Sequence, residues 1–486
     1  MRVRAGGLLV LVAAASCAVG PDYSSPKIPV PAQWSEPRLG GTTDGQAEVI
    51  HWWTIFNDPT LDSLIARAVK SNLDLRLSVA RVREARALRR GVAADISPQV
   101  NEVASLTDER RSENALSSSV TQLETDLYEA AFDASWEPDV FGGKRRALEA
   151  ATADLAAAVE DARDALITLL AEVARNYIET RGSQGRLAIA HQTLEAEREV
   201  LEIARSLFAS GLTNELDVTR AEAALDSTQA QVPALETLLH QGVHRLGVLL
   251  GREPGALVTE LSADRPIPKA PPEVPVGLPA DLLRRRPDVR RSERQLAAAT
   301  ARIGVETAEL FPKFSLTGLA GFQSLSTSDL FTSGSRFWSA GPSVTWRILD
   351  AARVRAGIQV WNARQEQALA EYERSVLTSL EDVENALVAY AKEQVRYAWL
   401  REAVEANRRS LELANELYAK GLSDFLSVLD AERSLYIHED QLVQSETNVL
   451  VHLVALYKAL GGGWEESTNL TTTENTGRKG GASGED

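Results

Sequence analysis

The sequence predicts a mixed α and β membrane protein, in which a trimer forms a β-barrel of twelve strands, four from each chain, continued by a long α-helical coiled-coil barrel. Three observations predict this fold class. The chain contains an internal duplication, each half has two strand-like stretches with one apolar face, and each half has helical stretches too long for a globular domain. A different sequence pattern specifies each of these elements.

Composition narrows the class of protein. The chain has 486 residues and a formal net charge of −16, which argues against a nucleic acid as partner. Charged residues make up 25% of the chain and are interleaved with Ala and Leu. This pattern is typical of long solvated helices rather than of disorder.

The N-terminus predicts export. Residues 1–16 have the form of a signal peptide, with Arg2 and Arg4 placed before a short apolar stretch at residues 5–15. That stretch is shorter than the roughly 20 apolar residues of a membrane-spanning helix, and no later stretch reaches that length. We therefore expect an exported protein that no helix holds in the inner membrane.

Cys17 is the only cysteine, and it stands at the end of this segment. A single cysteine forms no internal disulfide, so we interpret Cys17 as a lipidation site that begins an N-terminal lipid-linked extended segment, residues 17–60. Ala18 is not the aspartate that often retains lipoproteins in the inner membrane. The alternative is an ordinary signal-peptidase cut that leaves a free thiol, because residues 14–16 (AAS) lack the leucine usual three positions before a lipidated cysteine.

The second half of the chain repeats the layout of the first. Residues 207–213 (LFASGLT) align with residues 417–423 (LYAKGLS) at a shift of 210 positions (417 − 207). The same shift aligns Ser135-Trp136 with Thr345-Trp346, Ala221-Glu222 with Ala431-Glu432, and Leu250-Gly251 with Leu460-Gly461. We therefore predict a first repeat over residues 61–260, a second over residues 261–464, and a disordered polar tail over residues 465–486.

Two strands are predicted in each repeat, within residues 98–137 and 312–347. Their apolar positions alternate with polar ones, and the clearest are Tyr128, Ala130, Phe132, Ala134 and Trp136, then Phe314, Leu316, Gly318, Ala320 and Phe322, then Trp338, Ala340, Pro342, Val344 and Trp346. A period of two with aromatic ends is typical of strands that face lipid on one side. The first strand, from Val100 to Leu106, is weaker because Glu102 falls on its apolar side. One sheet of a soluble sandwich is the alternative.

Very long helices are predicted after each strand pair, over about residues 144–210 and 353–420, where Gly and Pro are almost absent. At 1.5 Å per residue, each would be roughly 100 Å long. Apolar residues recur in a 3-4 spacing, the seam of a coiled coil. The chain then turns at Gly211 or Gly421 and returns with the same rhythm, in the first repeat through Val218, Ala221, Leu225, Val232, Leu235 and Leu239. For the helices alone, a plain antiparallel coiled-coil scaffold is the simpler interpretation.

Strands and helices together predict an assembly. Four strands cannot close a barrel, and open sheet edges are not tolerated in lipid. Several chains must therefore share one sheet, and three copies would provide twelve strands, an even number within the known range. The same threefold axis would gather the helices into a tube. We interpret a membrane pore continued by a helical tunnel as a conduit.

Four motifs carry a resemblance to a known family. They are residues 277–289 (GLPADLLRRRPDV), the most specific, and residues 17–23 (CAVGPDY), 52–59 (WWTIFNDP) and 457–464 (YKALGGGW). The chain resembles the outer membrane factors, the TolC- and OprM-like channels, and in particular the lipoprotein subgroup (NodT type) that serves resistance-nodulation-division pumps. By itself, the run from Arg284 to Arg286 could be a solvated basic patch. Pro287 and Asp288 indicate the first turn of a helix, so we expect the motif to be architectural rather than a substrate site.

The resemblance implies a channel in the bacterial outer membrane that passively exports drugs, other small toxic solutes or metal ions. It implies a lipid-anchored homotrimer that extends into the periplasm. Its implied partners are outer-membrane lipid, a periplasmic adaptor (membrane fusion) protein and an inner-membrane pump of the resistance-nodulation-division class. No cofactor, bound metal or nucleic acid is implied. A type I secretion duct for proteins is the alternative within the family.

The resemblance also implies site residues at the periplasmic end. It assigns adaptor docking to Gly211, Leu212, Thr213, Gly421, Leu422 and Ser423, the closed aperture to Leu426 and Asp430, and the ties that hold it shut to Tyr418, Asp217 and Arg433. Alternatively, Asp430 and Arg433 form a weak surface pair and Tyr418 is only a seam residue. The shift of 210 aligns Asp430 with Arg220, so the two turns are chemically unequal. A ring of three Asp430 carboxylates would favour protonation or a bound cation.

Two other classes of protein are less compatible with the sequence. An enzyme is disfavoured, because His240 and His244 lack a third metal ligand or a glutamate base nearby, and no phosphate-binding glycine loop is present. The other class is a structural lipoprotein, a coiled-coil spacer without a pore. A trimer that resists dissociation in detergent and conducts ions in planar bilayers would separate a channel from such a spacer.

Overall fold

The computed structural model describes residues 18–35, 42–43, 50–110, 124–269 and 285–464, together with positions 112, 114, 274–275 and 279. Cys17, the predicted signal peptide and the predicted tail lie outside the described residues. Most of the motif at residues 277–289 lies outside them as well.

Helices account for most of the described chain, and one four-stranded sheet accompanies them. In chain order, the longer helices are α1 (Pro59–Ser71), α2 (Leu73–Ala94), α3 (Gly143–Ala209), α4 (Glu215–Gln229), α5 (Val232–Leu249), α6 (Pro287–Ala308), α7 (Ala351–Ala419) and α8 (Phe425–Ala459). The sheet consists of β1 (Gln99–Arg110), β2 (Glu124–Trp136), β3 (Lys313–Ser324) and β4 (Arg336–Thr345). Shorter elements are the 3₁₀ turns Trp52–Phe56, Pro254–Leu257 and Ser333–Ser335, the helical turn Val258–Leu261, and a parallel pairing of Thr42–Thr43 with Val274–Pro275. The predicted mixture of four strands with long helices is confirmed.

The chain divides into two compact units. The sheet unit comprises Met1–Lys27, Arg81–Ala158 and Arg291–Glu373. The helix unit comprises Ile28–Ala80, Val159–Arg290 and Arg374–Asp486. Each unit draws segments from both halves of the sequence, so the sequence repeats are not separate structural domains.

The sheet joins the two halves of the chain. Its strand order is β1-β2-β3-β4, and every neighbouring pair is antiparallel. In the central pair, Phe132 lies opposite Ala320 and Trp136 lies opposite Leu316. Because opposed residues point to the same face of an antiparallel sheet, the registers align the predicted apolar stripes on one face. Glu102 lies opposite Phe132, on that same face, as its place in the alternation predicts.

The apolar face of the sheet is exposed in the single chain. Trp338 is 79% exposed, and the other exposed large apolar residues of this face are Val100, Leu106, Phe132, Trp136, Leu316 and Val344. Within the described ranges no second sheet covers it, although a soluble sandwich would need one. In the same ranges, the outer edges of β1 and β4 pair with no further strand.

The described helices lack the combined length and hydropathy of a membrane-spanning helix. None of those in the described part of the chain is both long enough and apolar enough to cross a membrane. Their burial instead follows the coiled-coil seam, where Ala190, Leu194, Leu201 and Ala204 of α3 are all buried.

The first returning helix is interrupted, which the heptad rhythm did not predict. A continuous helix through Val218 and Leu239 was expected, but α4 ends at Gln229 and α5 begins at Val232. Pro233 explains the break, because it has no N–H to donate to the carbonyl of Gln229 and its ring clashes with that carbonyl. The expectation of an unbroken helix was therefore wrong in the first repeat, whereas α8 in the second repeat is continuous.

Two of the family-like motifs lie in the core of the helix unit. Trp52 stacks on Tyr457, with the ring centroids 5.5 Å apart. Asp58 caps α1 by accepting from the N–H of Thr60 at 2.8 Å, and its other oxygen accepts from the hydroxyl of Tyr177 at 2.5 Å. These residues hold the helices together and therefore have an architectural role.

Arg286 is buried, so the interpretation of its motif as a solvated basic patch is wrong for this residue. Its guanidinium group bonds Asp288 at 2.7 Å, Asp382 at 2.9 Å and the carbonyl oxygen of Ala459 at 3.2 Å. Helix α6 begins at Pro287, as its sequence predicted. The motif therefore ties the start of α6 to α7 and to the end of α8.

Candidate gate and docking site

Both long helices end in the same backbone turn. Gly211 and Gly421 follow α3 and α7 with φ of +71° and +68°. The N–H groups of Leu212 and Leu422 each donate at 2.9 Å to the carbonyl oxygen five residues back, which is the Schellman pattern. The turn needs the left-handed backbone that glycine adopts without a steric penalty.

The helices that leave these turns begin with matching caps. The side chain of Asn214 accepts from the N–H of Asp217 at 3.2 Å, and the side chain of Asp424 accepts from the N–H of Ser427 at 3.0 Å. The Ser427 hydroxyl also donates to Asp424 at 2.6 Å, and these bonds hold the pKa of Asp424 below its usual value. The two predicted docking turns thus share one local structure.

Each docking turn presents a leucine to its surroundings. Leu212 is 75% exposed and Leu422 is 72% exposed. The neighbouring Thr213 instead turns its hydroxyl inward and donates to Asp217. Burial of one such leucine against a partner would contribute about 2 kcal/mol. The two turns therefore have the chemistry of small apolar docking points.

Two of the predicted ties, Tyr418 and Asp217, lie together. Tyr418 packs against Phe425, with ring centroids 5.5 Å apart, beside the buried Leu201. Burial, and then the negative charge of Asp217, raise the pKa of Tyr418. Among the described residues no hydrogen bond joins the two, because Asp217 accepts from Thr213 instead. In the single chain, Tyr418 and Asp217 therefore interact electrostatically without a hydrogen bond between them.

Arg433, the third predicted tie, is exposed and forms no ion pair with Asp217 or Asp430 within the described ranges. The alternative surface pair of Asp430 with Arg433 is therefore not formed in the single chain. Leu426 and Asp430, the predicted aperture residues, lie about one turn apart on α8 and are both exposed, whereas Phe425 is buried. The predicted ring of these residues would require other copies of the chain.

Sequence analysis missed two buried carboxylates on α3 and α8, the helices that contribute Leu201 and Phe425 to the packing around Tyr418. Glu197 on α3 is 7% exposed and Glu432 on α8 is 8% exposed. Burial, and then the charge of Glu197, raise the pKa of Glu432 to about 7. The repeat contained a signal for this pair. Under the shift of 210, Arg205 aligns with Asn415, so Glu432 lacks the arginine that pairs with its counterpart Glu222.

The residues directly after Cys17 are held within the sheet unit. The N–H of Val19 donates to the carbonyl oxygen of Phe141 at 3.0 Å. Arg146 donates to the carbonyl oxygen of Val19 at 3.2 Å and bonds Asp22 at 2.5 Å. The chain next to the predicted lipidation site therefore lies close to the segment that follows β2.

Metal-ligating residues do not cluster in the described ranges. The rings of His240 and His244 have their centroids 6.0 Å apart on α5. In the part of the chain that the structure describes, no group of three or more His, Cys, Asp or Glu side chains is placed to hold a metal ion.

A family model and two relatives decide the family. The model of the outer membrane efflux protein family matches the chain twice, over residues 64–252 and 278–462. The chain belongs to the outer membrane efflux protein family. Nodulation protein T of Rhizobium leguminosarum bv. trifolii is 33% identical to this efflux protein over 459 residues, which cover 92% of this chain and 95% of that protein. The toluene efflux pump outer membrane protein TtgF of Pseudomonas putida is 32% identical over 474 residues, with 95% and 97% covered.

A solved structure supports the same assignment of this outer membrane efflux protein. The outer-membrane channel OprN is similar with a TM-score of 0.87 and 39% identity, and the match covers 92% of this chain and 100% of that chain. The resemblance on the four motifs is thereby confirmed. The family is one of efflux proteins of the outer membrane rather than of enzymes.

Proposed function

We propose that this outer membrane efflux protein is the outer-membrane channel of a tripartite efflux pump. It would be a passive duct through which drugs, other small toxic solutes or metal ions leave the periplasm, and it would catalyse no reaction. Relatives named for toluene, solvent and antibiotic efflux support a small-solute cargo. The observation that carries the proposal is the sheet, whose apolar face is exposed and whose outer edges are open in the described chain.

Closure of the sheet in lipid calls for a homotrimer. Each unpaired backbone group in the hydrocarbon would cost several kcal/mol, so β1 and β4 need partners. Since neighbouring strands alternate in direction, β4 of one copy would lie antiparallel to β1 of the next. Three copies would complete a twelve-stranded barrel, and their long helices α3 and α7 would line a tunnel.

The lipid anchor would lie on Cys17, at the mature N-terminus. The bond from Val19 to Phe141 supports this position, because it holds the chain two residues beyond Cys17 next to the segment after β2. One acylated end adds membrane affinity, whereas the apolar face of the barrel would bury far more surface.

The two turns would meet a periplasmic adaptor, which joins the channel to an inner-membrane pump of the resistance-nodulation-division class. The exposure of Leu212 and Leu422 supports this role. Leu426 and Asp430 would form the closed aperture of the trimer. Their support is their shared exposed position on α8, next to the packed Tyr418.

The proposal is tested on protein extracted from the outer membrane in detergent. Light scattering, corrected for detergent, should give the mass of a trimer, and the same sample should conduct ions in a planar bilayer. A deletion strain should become drug-sensitive and regain resistance with the intact gene. A monodisperse monomer, or a trimer that never conducts, would contradict the channel and favour a coiled-coil spacer. Loss of secreted proteins without drug sensitivity would favour a type I secretion duct.

A further inference from the structure

Two carboxylates are buried where α3 and α8 of the helix unit pack together. Glu432 follows the aperture helix residue Asp430 by two positions, and Glu197 lies one turn before the buried Leu201. The two side chains come from opposite halves of the sequence. Their burial is unusual, since glutamates are almost never fully buried unless they are paired.

Neither carboxylate is fully satisfied. One oxygen of Glu197 accepts from the hydroxyl of Thr228 at 3.0 Å, and its other oxygen is buried without a hydrogen-bond partner. Glu432 forms no hydrogen bond within the described residues. Two negative charges in this position would repel each other and lack water, so one of the pair is expected to keep a proton. Burial comes first and the charge of Glu197 second among the causes that raise the pKa of Glu432 to about 7.

The surrounding helices bring no cation to the pair in the described chain. From α4, the neutral hydroxyl of Thr228 donates to Glu197 at 3.0 Å. From α3, Arg186 binds Asp440 at 2.7 Å, and from α7, Arg408 binds Glu439 at 2.8 Å. Tyr436 lies near Glu197, and its hydroxyl donates to Gln231 at 2.9 Å. Further along α8, His438 lies 3.5 Å from Asn407 and contacts the carbonyl oxygen of Ser434 at 2.7 Å. Within two positions of Glu432 on α8, the exposed charged residues are Asp430 and Arg433.

The duplicated half of the chain provides an internal comparison. Glu222 occupies the position of Glu432 in the first repeat, where its side chain is 45% exposed and binds Arg205 at 2.9 Å. Asn415 replaces that arginine in the second repeat. The same fold position therefore holds a glutamate paired with an arginine in one helix pair, and a buried, unpaired glutamate in the helix pair that contains the aperture residues.

We propose that Glu197 and Glu432 form a proton-operated latch. A proton on Glu432 keeps α8 packed against α3 and the aperture closed, and loss of that proton places two like charges in the contact and releases α8. This inference rests on the proposed function, because the aperture is that of the channel. A rise of pH through about 7 therefore favours the open state, and acidification favours the closed one.

The test is channel current through the purified full-length protein in planar bilayers at pH 6 and at pH 8. In the parent protein, the mean current should rise at least about threefold between pH 6 and pH 8. A rise of this size is expected when the equilibrium between the closed and open states shifts by a fraction of a kcal/mol or more. Glu432→Gln imitates the protonated form and should remain at the low current at both pH values. Glu197→Gln removes the partner charge and should also suppress the rise.

The matched control is Glu222→Gln, the half-exposed counterpart in the first repeat, which should retain the full response of the parent. His438→Gln separates the contribution of the titratable histidine nearby, and it should retain the response as well. The latch is overturned by a parent current that does not change with pH, or by a Glu432→Gln protein that still responds to pH. In either case, the presence of a current would still support the proposed channel function. Complete absence of current in every protein and at every pH rejects the channel and the latch together.

Discussion

Tyr418, in the last turn of α7, packs against Phe425, the first residue of α8, with the rings inclined at 50° and their centroids 5.5 Å apart. The contact closes the second docking turn from the inside, beside Leu201 and Leu429. The ring of Tyr418 therefore contributes packing, while its hydroxyl remains available near Asp217. The two contributions are separable by mutation.

The double substitution of Tyr418→Phe with Arg433→Ser should open the gate without unfolding the trimer. It keeps the ring and removes the hydroxyl and the guanidinium group that would form ties in the closed trimer, each of which would contribute about 1 kcal/mol at a solvated helix end. The contributions of three copies around the axis would add up, so their loss should favour the open state. Single-channel conductance in a planar bilayer should therefore increase. Tyr397→Phe, in the same helix but far from Asp217, is the control. If the double variant and the parent conduct equally, the gate lies elsewhere.

Asp430→Ala should weaken channel block by divalent and trivalent cations. In the proposed trimer, the substitution would remove a ring of three carboxylates, which is the feature that would bind such ions. The measurement is the cation concentration that halves the current. Asp226→Ala removes an exposed carboxylate on α4 and should leave block unchanged. Undiminished block in the Asp430→Ala protein would show that the cations bind at another position.

Gly421→Val should reduce crosslinking to the adaptor while the trimer stays folded. With φ at +68°, a β-branched side chain is strained by roughly 1–2 kcal/mol, so the turn must rearrange. Gly91→Val is the control, because Gly91 has open space in α2 without a positive φ. Wild-type crosslinking together with wild-type drug resistance in the Gly421→Val strain would remove this turn from the docking surface.

Cys17→Ser should abolish labelling of the protein by a radioactive fatty acid. The exported trimer should still insert in the outer membrane, because the apolar sheet face buries far more surface than one acylated end. Membrane fractionation with label counting checks both statements. Labelling that persists in the variant would exclude Cys17 as the modified residue.

Arg286→Met should lower the midpoint of thermal unfolding. It leaves Asp288 and Asp382 without their shared cation and the carbonyl of Ala459 without a donor, a loss of about 3 kcal/mol for a mostly buried ion pair. Arg285→Met, in the adjacent position, is the control and should unfold close to the parent. An unchanged midpoint for Arg286→Met would show that the buried pair adds no net stability.

Local sequence patterns determined the secondary structure elements and the faces they present. The period of two around Phe132 and Trp338 predicted which residues share the apolar face of the sheet, because side chains alternate along any strand. Gly211 and Gly421 predicted where α3 and α7 end, because their turns need a positive φ. The break before Pro233 was missed only because the heptad rhythm continues past a residue that cannot donate a hydrogen bond.

The tertiary structure decided which elements meet. A strand pattern contains no information on its partner, and only the folded sheet pairs β2 of one half with β3 of the other. The burial of Arg286 against Asp382, and of Glu197 near Glu432, depends on residues far apart in the chain. From the sequence alone, a charged residue is predicted to be solvated, because moving a charged side chain from water into a core has an unfavourable free energy. Its burial can be predicted only when the long-range partners that stabilise it are known. The sequence by itself thus determined the helices, strands and turns of this protein. The burial of its charged residues was decided by the packing between the two repeats.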